Sequence, residues 1–261
     1  MTGRSVVIHR DATLLARAVA ARLITGLVDA QAARGSASVV LTGGGIGIGV
    51  LRELRDAPAR DAVDWRRLDV WWGDERFLPA GDPERNETQA REALLDAVDL
   101  DPARLHPMPA AETSGRSGGD PEAAAEAYAS VLAASARPED HGPVPSFDIL
   151  MLGVGPDGHV ASLFPEYPGS YDDRPVVAVR GAPKPPPLRL SLTFPSINSA
   201  RAVWLLASGA EKAPAVHLAL SGAGRVQVPA AGVQGRSATL WLLDRTAAAR
   251  LPGSLARPAS P

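Results

Sequence analysis

The chain has 261 residues, 45% hydrophobic and 21% charged, with 27 Lys+Arg against 29 Asp+Glu for a formal net charge of -2. That is the composition of a globular protein large enough to hold a core without covalent staples. The absence of cysteine excludes a disulfide framework, a thiolate zinc site, an iron–sulfur cluster and a cysteine nucleophile, and the near-neutral charge argues against nucleic acid as a partner.

The first residues lack the apolar core of a secretory signal, and no stretch approaches the roughly 18 apolar residues of a membrane span. We therefore expect a cytoplasmic protein with no membrane partner. Residues 5–9 read as a short strand. Asp11 reads as the N-cap of a helix running to about residue 33 and stopped near Gly35. An apolar, β-branched strand follows at 38–42 and a helix at 46–54. Residues 69–72 read as a second buried strand, and 86–98 and 121–136 as helices. Residues 147–152 form a third buried strand, and 176–179 a fourth. Three more fall at 188–192, 202–207 and 239–243, with a helix over 211–220 between the last two.

This alternation predicts an α/β fold: three layers, Rossmann-like, with a mainly parallel sheet covered by helices on both faces. We expect one domain over 1–261, with linker-like stretches at 110–120 and 137–146 and a flexible tail from about residue 251. In such sheets ligands bind beyond the carboxyl ends of the strands, so the loops there carry the chemistry.

The first of these loops is Thr42-Gly43-Gly44-Gly45-Ile46-Gly47. Bare N–H groups at a helix start attract anions, and glycines let a phosphate approach closely. It is not a Walker A loop, because no Gly-Lys-Ser/Thr follows. The second loop sets Asp74, Glu75 and Arg76 directly after an apolar strand. Either Asp74 or Arg76 is placed to face a pocket, and Asn86 opens the next helix.

The third loop, Gly153-Val154-Gly155-Pro156-Asp157-Gly158-His159, holds a histidine two residues after an aspartate. A carboxylate so placed fixes an imidazole tautomer or serves only as loop architecture. We expect His159 to be catalytic and His9, His106, His141 and His217 to be structural or solvated. Gly153, Gly155 and Gly158 also match dinucleotide-binding spacing, with Asp173 about 20 residues on. A crossover helix must follow that motif, and Pro165 and Pro168 stop one after about two turns. Asp157 would also set negative charge beside a pyrophosphate, so a nucleotide cofactor is not expected.

Only two of the 27 basic residues are lysines, Lys184 and Lys212. Lys184 sits in a proline-stiffened segment leading to Arg189. Lys212 lies in the first turn of a helix, where its charge opposes the macrodipole unless an anion binds.

Taken together, LTGGG, WWGDERFLP with Asn86, LGVGPDGHVASLFP, PKPPPLRLSLT and ASGAEKA resemble the 6-phosphogluconolactonase family, in family order from residue 41 to 213. The resemblance implies a metal-independent, cofactor-free hydrolase. It would open 6-phospho-D-glucono-1,5-lactone to 6-phosphogluconate, the second step of the oxidative pentose phosphate pathway, and we expect it to act as a monomer. It also implies His159 as general base, Asp157 as its support and Arg76 as a pocket cation with Asp74. Gly44, Gly45, Arg76, Lys184, Arg189 and Lys212 would contact phosphate and sugar, with Asn86 beside them. Many relatives carry Ser-Thr-Pro after the paired glycines. Gly45-Ile46-Gly47 here lacks those hydroxyls, so backbone amides must do more.

Two alternatives fit these residues less well. Glucosamine-6-phosphate deaminase/isomerase resembles the family, but its histidine loop reads DGHIAFNEP, with a glutamate where Phe164 stands, and a tyrosine replaces Arg76. A non-catalytic sugar-phosphate sensor would need a DNA-binding module, and the first 35 residues show one long helix without a helix-turn-helix pair. A serine triad is weaker still, for want of a G-x-S-x-G elbow.

Overall fold

The computed structural model describes residues 4–111, 119–140, 142–253 and 255. Residues 112–118 of the expected linker, residues 254 and 256–261 of the expected tail, and His141 lie outside them. The elements follow in the order β1 (Arg4–His9), α1 (Ala12–Arg34), β2 (Ala37–Leu41), α2 (Gly44–Arg55), β3 (Leu68–Trp72), β4 (Asp74–Arg76), α3 (Asn86–Ala93) and β5 (Leu105–His106). Then come α4 (Pro121–Ser135), β6 (Ile149–Gly153), β7 (Val176–Val179), β8 (Arg189–Leu192), α5 (Phe194–Asn198), β9 (Ala202–Ala207), α6 (Ala213–Leu220) and β10 (Ala238–Asp244).

Seven strands form one parallel sheet in the order β1-β10-β9-β6-β2-β3-β5. Its central strands are short apolar runs with almost no polar alternation: four of the five residues are buried in each of β2, β3 and β6. A strand buried on both faces must be covered on both, which is the three-layer arrangement expected. From β2 the chain winds outward through β3 to β5. It then returns to β6, on the other side of β2, and winds outward through β9 to β10. The β2–β6 pair, in register Val39 to Ile149, is therefore the point where the winding reverses, and a crevice opens at its carboxyl ends.

Helix α1 shows why the flanking layers form. Asp11 Oδ1 accepts the N–H of Leu14 at 2.9 Å, and Gly35, at φ 78°, closes the other end by donating to the Gln31 carbonyl. Only a residue tolerant of the left-handed region makes that stop cheaply. Between the caps Leu15, Val19, Leu23 and Leu27 recur every fourth residue and are buried, a stripe that anchors the helix to the core.

Three expectations need correction. Residues 176–179 and 189–192 are strands but do not join the parallel sheet. They pair antiparallel with each other and with β4 in a small separate sheet of order β4-β8-β7. The helix expected over 86–98 ends at Ala93 and gives way to a 3-10 turn at Leu95–Ala97. The helix expected over 211–220 opens as a 3-10 turn, Ala210–Lys212, with Pro214 at the start of α6. Among the described residues no helix is long and apolar enough to cross a membrane.

Candidate active site

β2 and β6, the two strands at the reversal, feed the glycine loop and the histidine loop. Thr42 Oγ1 accepts the N–H of Gly153 at 3.1 Å and ties one loop to the other. Three glycines of the first loop are demanded by the chain itself. A Cβ on Gly43 would lie 1.9 Å from Asn86 Oδ1, one on Gly47 would lie 2.4 Å from the Thr42 carbonyl, and Gly44 sits at φ 77°. Gly45 has neither a neighbour within 4 Å of a Cβ nor a left-handed φ, so nothing in the chain itself demands a glycine there. It lies at the start of α2 and lines the cleft, where the open space suits a close-approaching ligand.

The chain leaves β3 at Gly73 and enters the small sheet, in which Asp74 pairs with Ser191, Glu75 with Leu190 and Arg76 with Arg189. Directly paired residues share a face and successive residues alternate. Asp74, Arg76 and Arg189 accordingly line the cleft, while Glu75 turns inward and is 0% exposed. Asp74 is held on both oxygens, by the Ser162 hydroxyl at 2.7 Å and by Asn86 Nδ2 at 3.4 Å. Asn86 Nδ2 also donates to the Asp74 carbonyl at 2.9 Å. Arg76 Nη1 donates to the Glu84 carbonyl at 2.6 Å, which steadies the side chain and leaves other N–H groups for the cleft.

In the third loop His159 Nδ1 meets Asp157 Oδ1 at 2.5 Å. With Nδ1 donating, Nε2 is the nitrogen left for the cleft that His159 lines. The ring packs on buried Phe164, with centroids 4.8 Å apart. Burial works to raise the Asp157 pKa, but the hydrogen bond and charge of His159 outweigh it and hold the carboxyl at about 2. The loop admits this geometry because Gly155 has no side chain: a Cβ would lie 2.0 Å from His159 Nδ1. No crossover helix follows Gly158, as the prolines required.

Burial lowers the Lys212 pKa, and the nearby Lys184 charge lowers it further. Arg189 holds the loop carrying Lys184, donating to the carbonyls of Lys184, Pro185 and Pro186 at 2.9, 3.1 and 3.1 Å. Asp244 braces the loop before Lys212 by accepting from the Ser208 hydroxyl at 2.6 Å and from the Gly209 N–H.

Gly44, Gly45, Asp74, Arg76, Asn86, His159, Lys184, Arg189 and Lys212 thus line one cleft of about 740 Å³, with Asp157 directly behind His159. The lining carries Arg52, Arg76, Lys184, Arg189 and Lys212 against Glu53, Asp74 and Glu211. It is locally positive on a slightly acidic chain. Sequence reasoning missed Glu75, Thr42, Ser162 and Asp244, whose roles depend on long-range contacts. Only the period-2 alternation through Asp74-Glu75-Arg76 could have set Glu75 apart. His106 is structural, stacked on Trp71 with ring centroids 3.8 Å apart and bonded to Asp69.

Fold and site together define a class: a doubly wound α/β protein with a basic, histidine-bearing cleft at its switch point, suited to a small anion. The model of the family described as glucosamine-6-phosphate isomerases/6-phosphogluconolactonase matches residues 10–241. A 6-phosphogluconolactonase of Streptomyces coelicolor is 64% identical over 256 residues, 98% of this chain and 97% of its own. That of Mycobacterium tuberculosis is 52% identical over 249 residues, 95% of this chain and 98% of its own. Among solved structures, 6-phosphogluconolactonase from Trypanosoma brucei superposes with a TM-score of 0.83 at 28% identity, covering 97% of this chain and all of its own. The chain belongs to the glucosamine-6-phosphate isomerase/6-phosphogluconolactonase family. A monomeric glucosamine-6-phosphate deaminase shares the fold at 23% identity and a TM-score of 0.73, so the fold alone does not choose between the two activities.

Proposed function

We propose that the cleft opens 6-phospho-D-glucono-1,5-lactone to 6-phosphogluconate, the second step of the oxidative pentose phosphate pathway, in the cytoplasm. The observation that carries the reading is the pairing of His159 with ionised Asp157 in a cleft that also gathers Lys184 and Lys212. His159 Nε2 takes a proton from water, and the resulting hydroxide attacks the lactone carbonyl. As the tetrahedral intermediate collapses, the bond from carbonyl carbon to ring oxygen breaks. The imidazolium returns its proton to that oxygen. Asp157 keeps Nδ1 protonated throughout and stabilises the transient positive charge. Arg76 is placed to meet the oxyanion.

The phosphate end is remote from the reacting carbonyl. Its binding to Lys184, Lys212 and the amides around Gly44 and Gly45 orients the lactone rather than changing its reactivity. Closely placed ammonium groups repel each other, and a phosphate dianion relieves that cost.

One observation favours the lactonase over the deaminase. The side chain beneath the His159 ring is Phe164, fully buried and unable to ionise, so it cannot hold the histidine's proton inventory as a carboxylate would. Supplying the chain with the lactone and with glucosamine 6-phosphate in parallel tests this. The lactone should be opened and the amino sugar left intact. Ammonia release from glucosamine 6-phosphate, without lactone opening, would reverse the assignment.

A further inference from the structure

Helix α3 begins without a cap of its own: Arg85 precedes it and makes no side-chain capping bond. Its first N–H groups are nevertheless satisfied from another element. Glu75 Oε1 accepts the N–H of Asn86 at 2.7 Å and that of Arg76 at 2.8 Å, and Oε2 accepts the N–H of Glu87 at 2.9 Å. Arg85 Nη2 stands 3.8 Å from Oε2, itself only 1% exposed. A carboxylate at a helix N-terminus answers both the orphan donors and the dipole. A buried acid is costly, and burial pushes the Glu75 carboxyl up to about 7 against the pull of Arg85 and the three donors. The proposed hydrolysis makes no chemical use of it, so its value must lie in what it holds.

What it holds is Asn86. That side chain donates to Asp74, and its Oδ1, without a hydrogen-bond partner among the described residues, lies against Gly43, leaving no room for a Cβ. Glu75 thus meets the cleft through Asn86 on two sides, the strand bearing Asp74 and Arg76 and the glycine loop at α2. We propose that Glu75 is a positioning residue that clamps α3 to β4 and, through Asn86, sets the substrate-binding face of the cleft. The inference rests on the lactonase reading for its kinetic consequence and on the backbone bonds alone for the clamp.

Glu75→Gln keeps the shape and introduces no buried charge, but its amide nitrogen cannot accept the Glu87 N–H while its oxygen serves the other two. Because His159 and Asp157 sit on a separate loop, and the remaining oxygen still accepts the Arg76 N–H, the variant should raise KM for the phosphorylated lactone about tenfold with kcat within about threefold, the pattern of lost uniform binding. Asn86→Ala should raise KM similarly, and in that background Glu75→Gln should add less than about twofold, because partners in one pathway are not additive. Full additivity, or an unchanged KM in cooperatively folded Glu75→Gln, would overturn the proposal. Amide exchange followed by nitrogen-15 NMR, without substrate, reads the clamp itself. The Glu87 amide should exchange at least about tenfold faster in Glu75→Gln, with the last turn of α3 unchanged. Equal exchange would also overturn the clamp. Wild-type protein that fails to open the lactone, with exchange behaving as expected, would remove the function but leave the clamp standing.

Discussion

At Gly155 the volume of a side chain is already occupied by the His159 ring, whereas at Gly45 the same volume is open. The two glycines should therefore fail differently. Gly155→Ala displaces His159 or Asp157, so kcat should fall by at least about a hundredfold, within the range for losing a general base. Gly45→Ala should leave thermal stability within about 0.5 kcal/mol and weaken binding of the phosphorylated lactone instead. Steady-state kinetics beside a thermal melt separates the two. Asp157 is held at about 2, so it stays ionised throughout the range in which an imidazole titrates. Its lowered value means that the pair's contribution to stability is present above the ordinary carboxylate pKa and is lost as pH falls toward 2. Asp157→Asn leaves the loop's shape but weakens control of the tautomer, and kcat should drop about 10–1,000-fold with little change in KM. An unchanged kcat would reduce Asp157 to loop architecture.

Among the elements, legibility followed locality. β2 and β9 are apolar runs bounded by turn residues, and α1 carries its start at Asp11 and its stop at Gly35 in its own sequence. The small sheet was not legible. β4 is three charged residues, Asp-Glu-Arg, with poor strand propensity, and it is a strand only because β8, far along the chain, pairs with it. The same remoteness hid Glu75, which reads as one more solvated charge until the pairing turns it into the core. Its raised pKa makes a prediction at this scale. The folded chain holds that proton more tightly than the unfolded chain, so this carboxyl's contribution to stability is greatest below about pH 4.5 and declines as pH rises through about 7. Glu75→Gln should lack that decline, and urea melts of both proteins between pH 5 and 8 would show it; parallel pH dependence would mean that the group is already ionised.

For the whole molecule, the reversal of winding between β2 and β6 decides where the site is. It brings the glycine loop and the histidine loop side by side, and the small sheet and the loop before α6 close the cleft with Arg76, Lys184, Arg189 and Lys212. Each loop was recognisable in the sequence because its residues are contiguous; their convergence was an inference from the fold class, and the supports between them were not visible. The net charge of -2 coexists with a positive cleft because the cations are gathered rather than numerous. Lys212→Ala should accordingly raise KM for the phosphorylated lactone by about ten- to a hundredfold and change kcat far less, since its proposed contact is with the remote end of the substrate; an unchanged KM would remove Lys212 from the phosphate site. The central claim is that His159 activates water for lactone opening. Phosphorus NMR of freshly prepared 6-phosphoglucono-δ-lactone tests it most directly, with wild type, with His159→Ala and with no protein, because the lactone also opens unaided. The account predicts rapid conversion by wild type and a rate on the order of 10²–10⁴ slower for folded His159→Ala. Conversion by the variant at the wild-type rate, or by wild type at the unaided rate, would contradict it.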